Sequence, residues 1–130
     1  MESQKKFSPA FSFELFPPQT SQGVEKLRLT RQQLAQYDPK FFSVTFGAGG
    51  STRERTLETV LEIQAEGHVV APHLSCIGST RQNIRMILEK YHQAGISHIV
   101  ALRGDLPSGM AQAGEFRYAS ELVTFIRQEF

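Results

Sequence analysis

Short apolar runs alternate with helical patterns four times along the chain. Each run ends in turn-forming residues, and apolar positions at helical spacing follow it. The runs occupy residues 11–16, 41–46, 69–74 and 99–102. They recur about every 30 residues, which is the size of one βα unit. The pattern therefore predicts four strands that alternate with four helices, the last helix starting near Ala119.

This alternation is typical of parallel sheets, which occur either as open doubly wound sheets or as closed eight-stranded barrels. Four units in about 130 residues extrapolate to roughly 260 for eight, close to the roughly 250 of a complete (β/α)8 barrel. We therefore predict an α/β fold, a TIM barrel of which this chain covers about the first four βα units. Residues 1–10 would be an N-terminal lead-in, and residues 11–130 the N-terminal half of the barrel. A stand-alone four-stranded sheet is the alternative.

Composition narrows the class of protein. The chain is 40% apolar and carries a formal net charge of +1, so we expect one soluble core and no nucleic-acid partner. Cys76 is the single cysteine, which excludes an internal disulfide framework and favours a reducing compartment, with the cytoplasm as the default. No apolar stretch has the length of a secretory signal or a membrane span, so we expect no membrane partner.

Polar residues fall at the carboxyl ends of all four predicted strands, where barrel enzymes place their active sites. The fourth run, residues 99–102, has no polar alternation and is predicted to be a strand buried on both faces. An acid, a hydroxyl, an imidazole and an ion-pair motif at equivalent positions predict a ligand site. The candidates are Glu14, Thr45 followed by the glycine run of residues 47–50, His73, and the group Arg103, Gly104 and Asp105.

Glu14 interrupts an aromatic run between Phe11 and Phe16. If it points into the barrel, it is an acid held against apolar rings, where loss of water favours the protonated form and suits it to donate a proton. Simple strand alternation is the other interpretation, since it would turn Glu14 to solvent between Phe13 and Leu15.

The glycine run at residues 47–50 opens the second helix. Its backbone N–H groups could bind a phosphate or a ring carbonyl, or the glycines could serve only the geometry of the loop. The run is not the dinucleotide-binding fingerprint, because Thr52 stands where the third glycine belongs. The four histidines lack the paired spacing of metal ligands, so we predict no metal site.

Four segments, taken in order, resemble the signatures of the methylenetetrahydrofolate reductase family. They are FELFPP at residues 13–18, SVTFGAGGSTR at 43–53, APHLSC at 71–76 and ALRGDLP at 101–107. The resemblance covers about residues 11–130 and corresponds to the amino-terminal half of that family's flavin-binding catalytic barrel. It implies an oxidoreductase that acts on a CH–NH group.

In that family, FAD carries hydride from NADH or NADPH to 5,10-methylenetetrahydrofolate, and 5-methyltetrahydrofolate is formed for one-carbon metabolism and methionine biosynthesis. The resemblance implies that Glu14 binds the folate and protonates its bridging amine. The five-membered ring then opens to an iminium that accepts hydride from the reduced flavin. Asp105 is implied as a second catalytic residue, one that faces both the folate and the flavin.

The resemblance also implies which residues bind the flavin. These are Thr45, Phe46, Gly47, Ala48, His73, Arg103, Gly104, Asp105, Tyr118 and Ala119. Without the resemblance, Tyr118 is equally a packing residue at a helix start.

Because the family's barrel continues for four further strands, we expect the 130 residues alone to be inactive or poorly folded. The full-length protein is expected to be a homo-oligomer. Two other functions stay open from the residues alone. One is a different phosphate-binding barrel enzyme, a lyase or an isomerase. The other is a noncatalytic half barrel that associates with itself.

Overall fold

The computed structural model describes residues 5–47, 50–106, 108–109 and 114–130, and only the backbone of residues 50–52. Strands and helices alternate in the predicted order, although three of the strands are shorter than the apolar runs that contain them. The elements are β1 (Phe13–Leu15), α1 (Ser21–Ala35), β2 (Phe42–Val44), α2 (Gly50–Ala65), β3 (Val70–Ser75), α3 (Arg81–Gln93), β4 (Val100–Leu102) and α4 (Ala119–Glu129).

The four strands form one parallel sheet in the order β1-β2-β3-β4. Consecutive order and parallel direction place the carboxyl ends of all four strands at the same edge of the sheet, which we call the carboxyl edge. The predicted α/β class is therefore confirmed. The arrangement is that of the first part of a barrel, and the complete eight-stranded barrel stays a prediction.

One face of the sheet, the helix face, is apolar. Phe13, Phe42 and Val70 are register partners on it, and Leu15 pairs with Val44 two residues further along. All four helices contribute side chains to two buried clusters on this face. The buried members are Leu15, Phe42, Val44, Val60, Ile63, Val70, Tyr91 and Ile96 in the first cluster, and Leu74, Cys76, Ile84, Leu88, Phe116, Leu122 and Phe125 in the second.

The opposite face, the inner face, carries the alternate residues. Glu14, Ser43 and Ala71 are register partners there, and His73 follows two residues after Ala71. The fourth strand was predicted to be buried on both faces, and this is wrong. Leu102 lies on the inner face in register with Ser75 and is 38% exposed, because the four helices pack on the other side.

Threonine side chains fix the starts of two helices. Thr20 Oγ1 accepts the Gly23 N–H at 3.0 Å before α1, and Thr80 Oγ1 accepts the Asn83 N–H at 3.2 Å before α3. Such caps satisfy N–H groups that have no partner inside the helix. Among the described residues, no helix has the length and hydropathy needed to cross a membrane.

Charged side chains join α1 to α2. The Arg31 side chain is only 2% exposed, and its Nη2 lies 3.0 Å from Glu62 Oε1. Its Nε donates to Glu66 Oε2 at 3.1 Å. Arg28, which is 44% exposed, also contacts Glu62, and its hydrogen bond holds the pKa of that carboxyl below the usual range. A buried guanidinium is tolerated here because several of its donors have carboxylate partners.

We predict that Arg31→Ala lowers the free energy of unfolding by about 2 kcal/mol, because it removes charge-assisted hydrogen bonds from a buried position. Arg28→Ala is the matched control, since it contacts the same glutamate from an exposed position, and its loss should be clearly smaller. Urea denaturation of both variants measures the difference. Equal losses would contradict a special role for the buried guanidinium.

Candidate functional site

The exit from β2 is held at the carboxyl edge by backbone and side-chain hydrogen bonds. The Thr45 N–H donates to the Leu15 carbonyl at 3.0 Å, so pairing with β1 continues one residue past the strand. Thr56 Oγ1 donates to the Thr45 carbonyl at 2.8 Å and ties this residue to α2. Phe46 and Gly47 follow and are half-buried, as Thr45 is, while Ala48 lies outside the described residues.

The Phe46 ring is fixed against the start of α2. The Arg53 guanidinium carbon lies 5.2 Å from the centroid of this ring, which is a cation–π arrangement. The segment that leaves β2 is therefore anchored by its backbone at Thr45 and by its side chain at Phe46.

Glu14 and His73 meet on the inner face, although β2 separates their strands. Glu14 Oε2 lies 3.6 Å from His73 Nε2. The strand between them contributes Ser43, whose small side chain leaves room for the two longer ones to approach. Alternation along β1 predicts that Glu14 lies on the other face of the sheet from Phe13 and Leu15. The register of the strands adds that His73 lies on the same face as Glu14.

The expectation that Glu14 is held against apolar rings is wrong for the described residues. Its side chain is 55% exposed and faces an imidazole. The reason is the alternation along β1, which turns Phe13 to the helix face, where it stacks on Phe42 with a centroid separation of 6.2 Å. Glu14 is therefore an accessible acid that faces the imidazole of His73.

His73 is the buried member of this pair, with a side chain 10% exposed. Burial lowers the pKa of His73 below its ordinary value of 6.5, and the Glu14 carboxylate opposes this by favouring the charged imidazole. The direction of the shift keeps His73 neutral at neutral pH. A neutral imidazole has one nitrogen that donates a hydrogen bond and one that accepts.

The loop after β4 packs on the end of β3 through Gly104. This residue has a φ of +82°, and a Cβ at its position would lie 2.1 Å from Ser75 Oγ and 2.9 Å from Ile77 Cγ2. Ser75 Oγ also donates to the Arg103 carbonyl at 2.9 Å. Glycine is required at position 104 for both its conformation and its close approach. Arg103 and Asp105 are exposed on either side of it.

The start of α4 lies beside this loop. Cys76 Sγ is 3.9 Å from the carbonyl oxygen of Arg103 and also 3.9 Å from that of Tyr118. Tyr118 is 61% exposed, which argues against the alternative that it is a buried packing residue. Ala119, half-buried, is the first residue of α4. Burial raises the pKa of the Cys76 thiol, so this cysteine stays uncharged and packs between the two segments.

The structure thus brings Glu14 close to His73, and it brings the loop at 103–105 close to the start of α4. Sequence reasoning missed Ser75, whose hydroxyl joins the end of β3 to the loop after β4. A signal existed for it, because Ser75 directly follows His73 and Leu74 at a strand end. Within the described part of the chain, no three His, Cys, Asp or Glu side chains cluster so that they could hold a metal ion.

We predict that Gly104→Ala is more destabilising than Gly67→Ala. Both glycines have positive φ, +82° and +89°, so both variants pay a similar conformational penalty, but only Gly104 has atoms within 4 Å of an added Cβ. The overlap with Ser75 should add about 1–3 kcal/mol to the loss. Urea denaturation of the two variants measures this difference, and equal midpoints would contradict the tight packing of the loop.

Comparison with known proteins gives a consistent result. The family model described as methylenetetrahydrofolate reductase matches residues 1–130. The chain is similar to the 5,10-methylenetetrahydrofolate reductase of Escherichia coli (strain K12), at 44% identity over 118 residues, covering 90% of this chain and 39% of that protein. It is also similar to methylenetetrahydrofolate reductase (NADH) 1 of Arabidopsis thaliana, at 40% identity over 126 residues, covering 93% of this chain and 21% of that protein.

Proposed function

The chain belongs to the methylenetetrahydrofolate reductase family, and from this premise we propose that its site serves the reduction of 5,10-methylenetetrahydrofolate to 5-methyltetrahydrofolate. The electron donor in this proposal is NADH or NADPH, acting through FAD. The observation that carries the proposal is the accessible acid Glu14, held on the inner face beside His73 at 3.6 Å. A nicotinamide donor is supported by the Arabidopsis relative, whose name specifies NADH.

The groups at the carboxyl edge fit a flavin nucleotide. Arg103 offers an exposed guanidinium suited to a diphosphate, and Tyr118 offers an exposed ring suited to stacking. Flavin, when bound, supplies hydride to the substrate. In this proposal the flavin is held by the backbone and side chains of Thr45, Phe46, Gly47, Ala48, His73, Arg103, Gly104, Asp105, Tyr118 and Ala119.

Glu14 is the proton donor in this proposal. Its carboxyl group is 55% exposed on the inner face, so a substrate can reach it. Protonation of the bridging amine makes that nitrogen a better leaving group, and the five-membered ring opens as the C–N bond breaks. The neutral His73 beside it supports this role, because it does not add a positive charge that would favour the ionised carboxylate.

Asp105 binds the folate in this proposal. It is exposed at the carboxyl edge, one residue after Gly104, whose conformation fixes the direction in which the loop leaves β4. A carboxylate accepts hydrogen bonds from the N–H groups of a pterin-type ring. Its charge also disfavours additional negative charge on any group bound next to it.

The chain spans 39% of the length of the E. coli relative, and we propose that further strands complete the barrel and the site. Two exposed apolar side chains support this proposal, Leu102 at 38% on the inner face and Phe16 at 72% directly after β1. The family match over the whole chain favours this function over another phosphate-binding barrel enzyme and over a noncatalytic half barrel.

A chimera tests the proposed function. The 118-residue segment that this chain matches in the E. coli reductase would be replaced by the matching part of this chain. We expect the chimera to retain FAD and to oxidise NADH in the presence of 5,10-methylenetetrahydrofolate. Glu14→Gln should lower turnover by about 100-fold or more, because a general acid contributes at least that much. The measurement is NADH absorbance with flavin content determined in parallel.

Glu89→Gln is the control, since it removes the same charge from an exposed position on α3. It should leave turnover and flavin content unchanged. A flavin-loaded chimera whose turnover survives Glu14→Gln would contradict the proposed role of this acid. A folded chimera without flavin and without turnover would contradict the proposed function as a whole.

A further inference from the structure

The inner face holds an acid and an imidazole whose strands are not neighbours. We propose that His73 is a positioning residue for Glu14. The buried imidazole contacts the carboxyl group across β2 and orients it over the inner face, so that the protonation of one group affects the other. This inference rests on the proposed function, in which Glu14 donates the proton. It adds a second role for His73, beyond contact with a flavin.

The two partners differ in how firmly the fold holds them. β3 is a central strand of six residues, and His73 is paired in register with Val100 on one side. On the other side β3 pairs with β2. Glu14 belongs to β1, an outer strand of three residues in this sheet, and its side chain is 55% exposed against 10% for His73. A rigid, buried ring is therefore available to restrict a long, exposed side chain.

The separation of 3.6 Å between Nε2 and Oε2 is longer than a direct hydrogen bond. It is within range of an electrostatic contact, and one water molecule can bridge groups at such a distance. Contacts of this kind often shorten when a ligand covers the site.

Among the described residues, Glu14 is the charged group beside His73 on the inner face, and the other neighbours on that face are uncharged. β2 contributes Ser43 and, one residue past its end, Thr45, and β4 contributes Val100, all uncharged. Arg103 is one residue beyond β4 and is exposed, and its guanidinium donates to the Gly104 carbonyl at 3.2 Å. The helices pack on the opposite face of the sheet.

Burial favours the neutral form of His73, because it lowers the pKa of the ring below its ordinary value of 6.5. A cationic neighbour would favour the ionised form of Glu14 and oppose proton donation. A neutral imidazole accepts a hydrogen bond from the protonated carboxyl in one tautomer, and it donates one to the carboxylate in the other. Contact between His73 Nε2 and Glu14 before and after the proton leaves therefore requires the ring proton to move from Nδ1 to Nε2.

The test is an NMR titration of His73 in this chain, first shown to be folded by its dispersed amide resonances, with neither folate nor flavin present. Removing the Glu14 charge by Glu14→Gln should lower the pKa of His73, because the carboxylate favours the imidazolium. Glu89→Gln removes the same charge from α3 and should leave the pKa of His73 unchanged. An unchanged pKa of His73 in folded Glu14→Gln would overturn the proposed coupling.

Orientation is tested by the three-bond couplings of the Glu14 β-protons, which report whether χ1 occupies one rotamer or several. His73→Phe keeps a ring but removes both nitrogens. In this variant χ1 of Glu14 should sample several rotamers, and the couplings should take averaged values. His73→Gln keeps a polar group at a similar distance and should preserve them. Unchanged couplings in His73→Phe would overturn the positioning role.

A pH titration of the wild-type chain tests the same coupling without any substitution, in case a variant does not fold. The Glu14 carboxyl carbon should show an inflection at the pH where His73 titrates, and the Glu89 carboxyl carbon should not. Absence of that inflection would overturn the proposal. Because no ligand or turnover is involved, loss of the coupling would leave the proposed reduction standing, and failure of the chimera would leave the coupling standing.

Discussion

Parallel pairing of four strands in chain order is the constraint on which the rest of this structure depends. It places every carboxyl end at one edge, and it divides the side chains of each strand between two faces. On β2, Phe42 and Val44 belong to the apolar helix face, while Ser43 belongs to the inner face. A shift of one residue in register would exchange these faces, so the burial of Phe42 and Val44 also fixes where Glu14 points.

Among the described residues, two basic side chains are buried, Arg31 and His73, and their surroundings explain why their charges differ. Arg31 is charged at any physiological pH, and Glu62 of α2 and Glu66, the residue after that helix, supply acceptors for its donors. His73 has one carboxylate nearby, at 3.6 Å, and for this ring the effect of burial on the pKa exceeds that of the neighbouring charge. The arginine therefore stabilises the packing of two helices as an ion, while the histidine is a neutral partner on the inner face.

The sequence predicted much of the fold because each element has a local signal. Apolar runs located the strands, and Ile84, Leu88 and Tyr91 are buried on α3 at the spacing that the pattern predicts. The error at the fourth strand has a physical reason. An apolar run such as residues 99–102 does not reveal that helices cover only one of its faces, and Leu102 is consequently exposed.

The contacts of the candidate site were less predictable, because they join residues that are distant in sequence. Glu14 and His73 were both candidates, yet their contact depends on the register of three strands and on the small side chain of Ser43. The same holds for Gly104, whose close approach to Ser75 is visible only once β3 and β4 are paired. Local sequence patterns predict which polar residues lie at the end of a strand. The pairing of the strands decides which of these residues contact one another.

We propose that the inner face, with its accessible acid, is one part of a larger flavin site. Native mass spectrometry of the purified chain after incubation with FAD, combined with an assay for folate-dependent NADH oxidation, tests this proposal. We expect a chain that does not retain FAD and does not turn over, since further strands are proposed to complete the site. A monomer of this chain that retains one FAD and reduces 5,10-methylenetetrahydrofolate would contradict it.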